Sequence, residues 1–410
     1  MERFDLVVVG GSAAGMAAAI RAAELCPRQR ILLLEKLPRV GKKLLATGNG
    51  RCNLTNLNAA PGCYTSPDFA APALTRYPPE KVLSFFESLS LFTHADAEGR
   101  VYPLSNQASS VLDALRLECT RLGVRIKTGV TVTDVSPAGD GWRVEGERFD
   151  FAVLACGGKA AVKSCNGLDL LRSIGIPVTT TAPGLVKLTT SDPAAKQLKG
   201  VRAAVRLTLR DKNTALMAEE GELLFGDGVL SGIAAMNLSS AVNREMMHGR
   251  KTFSVVADFV PSMAKDVLRA RLDAIVNSAQ RETAEHLLSG FLPRAIGLVL
   301  LKKAGVAANR ATASLTVREL DVLTNLCKGC VFPVTGTRSY PDAQVMLGGA
   351  DCTAFDNETM EANRRRHFFC IGEVLDVDAP CGGFNLQWAF ASALLCADAI
   401  VKEVRHASHQ

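Results

Sequence analysis

The sequence predicts an α/β fold: a discontinuous domain built on a parallel sheet, interrupted by an inserted domain of antiparallel strands and helices. A buried strand, a glycine-rich turn and a small-residue helix come first, as in parallel α/β proteins. Residues 185 to about 260 alternate in polarity, which indicates antiparallel strands. After Cys330 the strand-and-glycine pattern of the first third returns. We therefore predict one domain from residues 1–185 and 345–410, and an inserted domain from residues 186–344.

The first strand and helix form a βαβ unit. The apolar run Phe4–Val9 predicts a strand buried on both faces, and Met16–Leu25 predicts a helix of small residues. A second buried strand, Ile31–Leu34, ends at Glu35. The turn between strand and helix, Gly10-Gly11-Ser12-Ala13-Ala14-Gly15, is called the fingerprint turn below.

The fingerprint turn has the pattern that binds a dinucleotide. Its backbone N–H groups and the helix N-terminus attract a pyrophosphate, and Glu35 is placed to accept a hydrogen bond from a ribose hydroxyl. Gly10 makes the tight turn and Gly15 allows the helix to approach the strand, but Ser12 stands where the middle glycine is expected. An acidic residue at position 35 disfavours the 2′-phosphate of NADP, so NAD and FAD both remain open.

The remaining elements follow in order along the chain. A polar loop occupies residues 38–56, with a short helix possible near Lys43. The predicted helices are Lys81–Ser90, Ser109–Leu122, several within residues 262–326, and Gln387–Val404. The predicted strands are Val124–Lys127, Val130–Val135, Trp142–Gly146, Phe149–Ala155, Arg202–Leu209, Thr252–Phe259 and Phe368–Ile371.

Composition and charge narrow the class of protein. The chain has 410 residues, and its 47 basic residues outnumber its 41 acidic ones to give a net charge of +6. The charges are interleaved, which argues against a nucleic-acid partner. We find neither a signal peptide nor a membrane span, and the twelve cysteines are typical of reduced thiols. We therefore expect a cytoplasmic protein.

Three further segments resemble one family of flavoproteins. They are residues 41–56 (GKKLLATGNGRCNLTN), residues 221–232 (GELLFGDGVLSG) and residues 372–387 (GEVLDVDAPCGGFNLQ). Together and in this order they resemble the BaiN/YhiN-like flavoproteins, also called the aminoacetone oxidase family of FAD-binding enzymes. The resemblance implies FAD bound in an extended form to a Rossmann-like domain of the two-dinucleotide type. It also implies an inserted β-barrel at about residues 186–260 and inserted helices at about residues 261–326.

The resemblance assigns site residues by position. Val132 would contact adenine through its backbone, and Gly372, Glu373 and Asp376 would close on the ribityl chain and pyrophosphate. Gly383 and its neighbours, at the start of the last helix, would lie near the isoalloxazine. The predicted cofactor-binding residues are Gly10, Gly11, Ser12, Ala14, Gly15, Glu35, Lys36, Lys42, Gly48, Arg51, Cys52, Asn53, Val132, Gly157, Gly372, Glu373, Asp376, Gly383, Phe384 and Asn385. The segment from Lys159 to Asn166 is shorter than is usual in this family.

Catalytic residues are less well defined. Arg51 and Tyr102 are candidate proton donors or substrate clamps, and no histidine falls within a flavin motif. Cys52 is either a redox thiol or, as we favour, an inert buried cysteine. The pair Cys327 and Cys330 is interpreted as ordinary packing rather than a redox dithiol, and we predict no metal site.

The resemblance implies an FAD-dependent oxidoreductase that transfers hydride through flavin N5. The leading hypothesis is reduction of an activated C=C bond in a small apolar or steroid-like substrate, with NAD(P)H as a transient electron donor. An amine oxidase that uses O2 on a substrate such as aminoacetone is the alternative. A non-catalytic FAD-binding role, or one in RNA modification, is a third. The expected partner is a small molecule, neither nucleic acid nor membrane, and the oligomeric state stays open.

Overall fold

A computed structural model describes residues 4–160, 166–278 and 282–407 of the chain. The chain divides into two compact units, Met1–Ala182 with Gln344–Gln410, and Pro183–Ala343. Most of the segment 159–166, noted above for its shortness, lies outside the described residues.

Helices and strands occur throughout the described chain, in some places as runs of one type. The helices are α1 (Ala13–Leu25), α2 (Lys42–Ala46), α3 (Pro67–Arg76), α4 (Pro79–Ser88), α5 (Ala108–Arg121), α6 (Gly167–Ser173), α7 (Pro193–Gln197), α8 (Ile233–Met247), α9 (Lys265–Asn277), α10 (Arg294–Lys303), α11 (Val317–Gly329) and α12 (Phe384–Ala407). The strands are β1 (Leu6–Val9), β2 (Ile31–Glu35), β3 (Thr55–Asn56), β4 (Thr93–Ala95), β5 (Arg100–Pro103), β6 (Arg125–Thr128), β7 (Val135–Ala138), β8 (Gly141–Val144), β9 (Glu147–Phe149), β10 (Phe151–Leu154), β11 (Ala182–Gly184), β12 (Leu188–Thr190), β13 (Arg202–Asp211), β14 (Thr214–Phe225), β15 (Val229–Ser231), β16 (Phe253–Asp258), β17 (Cys330–Thr337), β18 (Val345–Leu347), β19 (Glu361–Ala362) and β20 (Arg365–Cys370).

The first unit is built on a six-stranded sheet in the order β19-β20-β10-β1-β2-β6. All neighbours pair in parallel except the edge strand β19. Strands β10, β1 and β2 are fully buried, as apolar strands of a parallel sheet require. The carboxyl ends of β1, β2, β10 and β20 therefore meet at one edge of the sheet. From β1 the chain continues to β2, which pairs with one side of β1, while β10 pairs with the other side. The carboxyl edge of the sheet therefore has a topological switch point at β1, the kind of place where open α/β sheets bind ligands.

The strand predicted at Val130–Val135 is wrong. Strand β6 ends at Thr128, and residues 129–134 form an irregular segment before β7. Backbone bonds redirect this segment: Gly129 N donates to Leu37 O and Val130 N donates to Glu35 O, both at 3.0 Å. Tertiary contacts with the end of β2 thus override the strand propensity of the valines. As a result, the segment carries Val132 to the carboxyl edge of the sheet.

The second unit contains a closed six-stranded barrel in the order β12-β15-β14-β13-β16-β17. The predicted limits of the barrel are too narrow, because β17 lies beyond residue 260, after helices α9, α10 and α11. Strand β17 pairs with β16 from Cys330 opposite Ala257 to Val334 opposite Phe253, and with β12 on its other side. Without β17 the sheet would have two open edges, which full closure removes.

Helix α12 is an apolar helix packed within the first unit. In the part of the chain that the structure describes, Phe384–His406 is the one segment long and apolar enough to cross a membrane, and 72% of its most apolar window is buried inside the fold. Its side chains Trp388 and Phe390 are at most 1% exposed. The hydrophobic character of α12 is thus accounted for by core packing.

Candidate functional site

The fingerprint turn leaves no room for side chains at three of its positions. A Cβ on Gly10 would lie 2.3 Å from Ala155 O, and φ at Gly10 is +115°, a conformation that only glycine adopts easily. A Cβ on Gly15 would lie 1.9 Å from Gly10 O, so α1 rests directly on the turn. A Cβ on Gly11 would lie 2.7 Å from the Val40 side chain.

Ser12 fits the turn without being glycine. It is the N-cap residue of α1 with φ −117° and ψ −154°, an extended conformation open to any residue. Its side chain makes no capping hydrogen bond to α1. The first N–H groups of α1 therefore remain unsatisfied by this side chain, as an anion-binding helix N-terminus requires. The backbone at this position therefore accepts serine without strain.

Glu35 is anchored beside the turn. Its side chain accepts from Gly11 N and from Leu37 N, each at 2.8 Å, and the residue is 8% exposed. These two bonds fix one lone pair on each oxygen and leave others for a ribose hydroxyl.

A narrow pocket opens at the carboxyl ends of β1 and β2. It brings together four predicted residues, Gly10, Glu35, Lys36 and Val132. Asn166 also lines it and donates from Nδ2 to Val132 O at 2.5 Å, which fixes the backbone predicted to meet adenine. Sequence reasoning missed Asn166, because no motif surrounds it.

The loop from Thr47 to Asn53 has an unusual backbone. Gly48, Asn49 and Cys52 all have φ between +55° and +63°, although two of them are not glycine. Within the described part of the chain, Asn53 Oδ1 is buried and has no hydrogen-bond partner. A Cβ on Gly48 would lie 2.1 Å from that oxygen. Such an orphaned acceptor fits a ligand with hydroxyl or N–H donors, and FAD carries both.

Cys52 lies in this loop as a buried thiol. Burial raises its pKa to about 12, and a hydrogen bond with Thr47 offsets only part of that shift. In the second unit, burial likewise raises the pKa of Cys327 to about 12 and that of Cys330 to about 11. Because the thiolate is the reactive form, these environments favour the inert interpretation of all three cysteines.

The segment after β20 contributes Gly372, Glu373 and Asp376. A Cβ on Gly372 would lie 3.1 Å from Ala14 Cβ, which places this glycine against the fingerprint turn. Asp376 Oδ2 accepts from Thr179 Oγ1 at 2.8 Å.

Glu373 connects several segments through one carboxylate. It pairs with Lys43 and accepts from Gly158 N at 3.2 Å and from Met346 N at 2.9 Å. Gly157, with φ +66°, lies close enough that a Cβ there would be 3.4 Å from Glu373 Oε2. Lys42, the lysine named in the prediction, is exposed instead.

The start of α12 packs against β3. A Cβ on Gly383 would lie 2.3 Å from Thr55 O. Asn385 is engaged with its own loop: its Oδ1 accepts from Ala379 N at 3.0 Å and its Nδ2 donates to Ala379 O at 2.8 Å. Tyr64, which the sequence did not single out, donates from its hydroxyl to Phe384 O at 2.9 Å.

Gln387 joins three segments at this point. Its Oε1 accepts from Thr55 Oγ1 and its Nε2 donates to Tyr77 O, both at 2.7 Å, and the residue is fully buried. It is the last residue of the third quoted segment, which is the signal that could have identified it.

The two candidate catalytic residues contact each other. The guanidinium carbon of Arg51 lies 4.6 Å from the centroid of the Tyr102 ring, a cation–π geometry. Tyr102 is 3% exposed and stacks on His94, with ring centroids 5.9 Å apart, whereas Arg51 is exposed. Arg51 is thus the member of the pair that can reach a substrate. Among the described residues no group of three or more His, Cys, Asp or Glu side chains could hold a metal ion.

Comparison with known protein families agrees with the dinucleotide-binding pattern of the fingerprint turn. The model of the HI0933-like protein Rossmann domain matches residues 4–399. The chain belongs to this family. Its members include the BaiN/YhiN-like proteins identified in the sequence, so the family prediction is confirmed. As a member of the HI0933-like family, the chain is an FAD-dependent oxidoreductase with a Rossmann-like FAD-binding fold.

Curated relatives of the family cover nearly the whole chain. The chain is 34% identical over 402 residues to the 3-dehydro-bile acid delta(4,6)-reductase of Clostridium scindens, covering 96% of this chain and 98% of that protein. It is 29% identical over 413 residues to the ribosomal RNA dihydrouridine synthase of Escherichia coli, covering 98% of this chain and 99% of that protein. Among solved structures, E. coli quinol fumarate reductase FrdA superposes with a TM-score of 0.50 at 14% identity, over 99% of this chain and 71% of that one. At this identity the likeness concerns the fold.

Proposed function

We propose that the chain reduces a C=C bond conjugated to a carbonyl group in a small apolar, steroid-like molecule, with NAD(P)H as transient electron donor. The observation that carries the proposal is the 34% identity, over 96% of the chain, to a bile acid delta(4,6)-reductase. When FAD is bound, its isoalloxazine supplies hydride transfer through N5.

The residues of the first unit have defined roles in this proposal. The fingerprint turn and the N-terminus of α1 bind the pyrophosphate, and Glu35 binds the adenosine ribose. Asn53 Oδ1, buried without a partner in the described chain, accepts a hydrogen bond from the flavin. The N-terminus of α12, at Gly383 and Phe384, would stabilise negative charge on the isoalloxazine of bound FAD. Arg51, held over Tyr102, binds the polar end of the substrate.

A second candidate function is the reduction of uridine in ribosomal RNA. It is favoured by the E. coli and Haemophilus influenzae relatives, which are 29% and 26% identical and are named ribosomal RNA dihydrouridine synthases. Both activities add hydrogen across a C=C bond, so the same flavin chemistry would serve either substrate. The interleaved charges and the net charge of +6 favour the small substrate.

The test is an anaerobic absorbance titration of the purified protein at about 450 nm, the band of oxidised flavin. Bleaching by NADH or NADPH, followed by recovery of the band on adding a 3-oxo-4,6-diene steroid, is the expected result. Recovery with an unmodified ribosomal RNA transcript and not with the steroid would select the second function instead. Flavin that stays oxidised with both nicotinamides, and is reduced by aminoacetone with O2 consumed in air, would overturn both in favour of amine oxidation.

We also propose that the protein acts in the cytoplasm. The eleven cysteines in the described part of the chain are all free thiols, which supports a reducing compartment.

A further inference from the structure

Two contacts tie distant segments to the fingerprint turn. Gly41, the residue before α2, donates from its N–H to Gly11 O at 2.8 Å. On the other side, a Cβ added to Gly372 would lie 3.1 Å from Ala14 Cβ. The start of α2 and the segment after β20 therefore both lie against the turn that faces the pyrophosphate.

An ion pair joins these two segments to each other. Lys43 is two residues beyond Gly41, Glu373 is one residue beyond Gly372, and the Lys43 ammonium pairs with the Glu373 carboxylate. Their side chains are 24% and 21% exposed, so both remain partly accessible to a ligand. The ion pair thus links the two segments that contact the fingerprint turn.

The Glu373 carboxylate is occupied by protein donors. Its Oε1 accepts from Met346 N at 2.9 Å, and its Oε2 accepts from Gly158 N at 3.2 Å in addition to Lys43. A carboxylate anchored in this way repels the negative charges of a pyrophosphate unless a cation stands between them. The ammonium of Lys43 has three donors, so it can serve Glu373 and a phosphate oxygen together.

We propose that Lys43 binds the pyrophosphate of FAD directly and that Glu373 is a positioning residue that acts through Lys43. The inference rests on FAD binding at the fingerprint turn and deepens the proposed function. It also replaces two sequence expectations: direct contact of Glu373 with the cofactor, and a cofactor role for Lys42. Lys42 is the neighbouring cation on α2, is exposed, and makes no ion pair with any described residue.

The experiment measures the dissociation constants of FAD, ADP and adenosine for the flavin-stripped full chain. ADP carries the pyrophosphate without the isoalloxazine, and adenosine carries neither. Lys43→Gln should weaken FAD and ADP binding by about tenfold to a hundredfold, the range of a charge-assisted hydrogen bond, and leave adenosine binding unchanged. The control Lys81→Gln, at an exposed lysine of α4, should leave all three constants within about threefold of wild type.

The positioning role of Glu373 is tested by coupling. Glu373→Gln should weaken ADP binding, and the double variant should bind ADP no more weakly than Lys43→Gln alone, because the two residues act as one unit. Lys43→Arg, which keeps the charge, should bind ADP more tightly than Lys43→Gln.

Three outcomes would overturn the inference. They are ADP binding by Lys43→Gln at the wild-type level, an equal loss of adenosine binding, and additive losses in the double variant. If Lys43→Gln does not fold, Lys43→Arg serves as the test instead. A folded Lys43→Arg that binds ADP as weakly as Glu373→Gln would then also contradict the inference. Failure of the wild-type chain to bind FAD would instead contradict the proposed function.

Discussion

At the scale of single residues, the proposed flavin site is marked by positions where a side chain cannot fit and by one acceptor without a donor among the described residues. Gly10 and Gly15 are required because their Cβ atoms would meet backbone, whereas Ser12 is tolerated because its φ is negative. Asn53 Oδ1 is the reverse case, a buried polar atom that has no hydrogen-bond partner among the described residues. These residues together support the proposal that an extended, hydroxyl-rich and negatively charged cofactor binds here.

The Arg51–Tyr102 pair gives a prediction at this scale. Tyr102 is nearly fully buried beneath the Arg51 guanidinium, so we expect its ring, and not its hydroxyl, to matter. Tyr102→Phe keeps the ring and should change kcat by less than about threefold. Tyr102→Leu removes the cation–π contact, about 0.5–1 kcal/mol, and should raise KM about two- to fivefold.

Steady-state kinetics of the C=C reductase reaction measure both variants. Hydroxyl-dependent proton transfer contributes about a hundredfold or more to rate. A fall of that size in kcat for Tyr102→Phe would therefore assign Tyr102 as the proton donor and contradict a purely supporting role.

At the scale of elements, contacts with β3 help to hold the start of α12 in place. Gln387 links Thr55 to Tyr77, and Gly383 permits the helix to touch Thr55 O. The N-terminus of α12 is thereby fixed in the place where the isoalloxazine is proposed to lie. Preorganised helix dipoles stabilise charge only when their orientation is fixed in this way.

Gln387→Leu tests the importance of this link. The substitution leaves the Thr55 hydroxyl and the Tyr77 carbonyl without their partner, which costs about 1–3 kcal/mol for each buried group. We expect a lower melting temperature and a weaker affinity for FAD, measured by thermal unfolding and by titration of the flavin-stripped chain. Gln107→Leu, at an exposed position before α5, is the control and should change neither property. Equal FAD affinity in Gln387→Leu and wild type would show that the link does not position the site.

At the scale of the whole molecule, both units bury thiols in their cores. In the first unit burial raises the pKa of Cys52 and Cys119 to about 12, and in the second it raises that of Cys327 to about 12. These thiols stay protonated in the folded state at a pH where the unfolded chain ionises them. Stability from this source is complete below pH 9 and is lost as the pH rises toward 12.

The free energy of unfolding should therefore fall between pH 9 and 11, by about 1 kcal/mol per pH unit for each such thiol. Denaturant titrations across this range measure the slope, taken separately for each transition because two units need not unfold together. Cys119→Ala removes one titrating group and should make the slope shallower by that amount. An unchanged slope in Cys119→Ala would show that the burial of this thiol does not control alkaline stability.

Local patterns predicted much of the first unit. The βαβ unit at residues 4–35, the fingerprint turn and the strand ending before Gly157 all follow from apolar runs and glycines within short windows. The predicted strand at Val130–Val135 failed because a window of that length does not include the bonds from Gly129 and Val130 to the end of β2. The barrel limits failed for a similar reason, since β17 is separated from β16 by three helices.

The sequence by itself determined the Rossmann-like βαβ unit with its dinucleotide pattern, because glycines at fixed spacing and buried apolar runs report backbone sterics and burial over a few residues; the choice of FAD and of the family came from the resemblance of three longer segments. Only the tertiary structure decided which distant groups meet: Lys43 with Glu373, Thr55 with Gln387, and Asn166 with the Val132 carbonyl. These partners lie 330, 332 and 34 residues apart. Their pairing depends on the order in which the chain passes through the parallel strands and the barrel. Local propensity contains no information about that order.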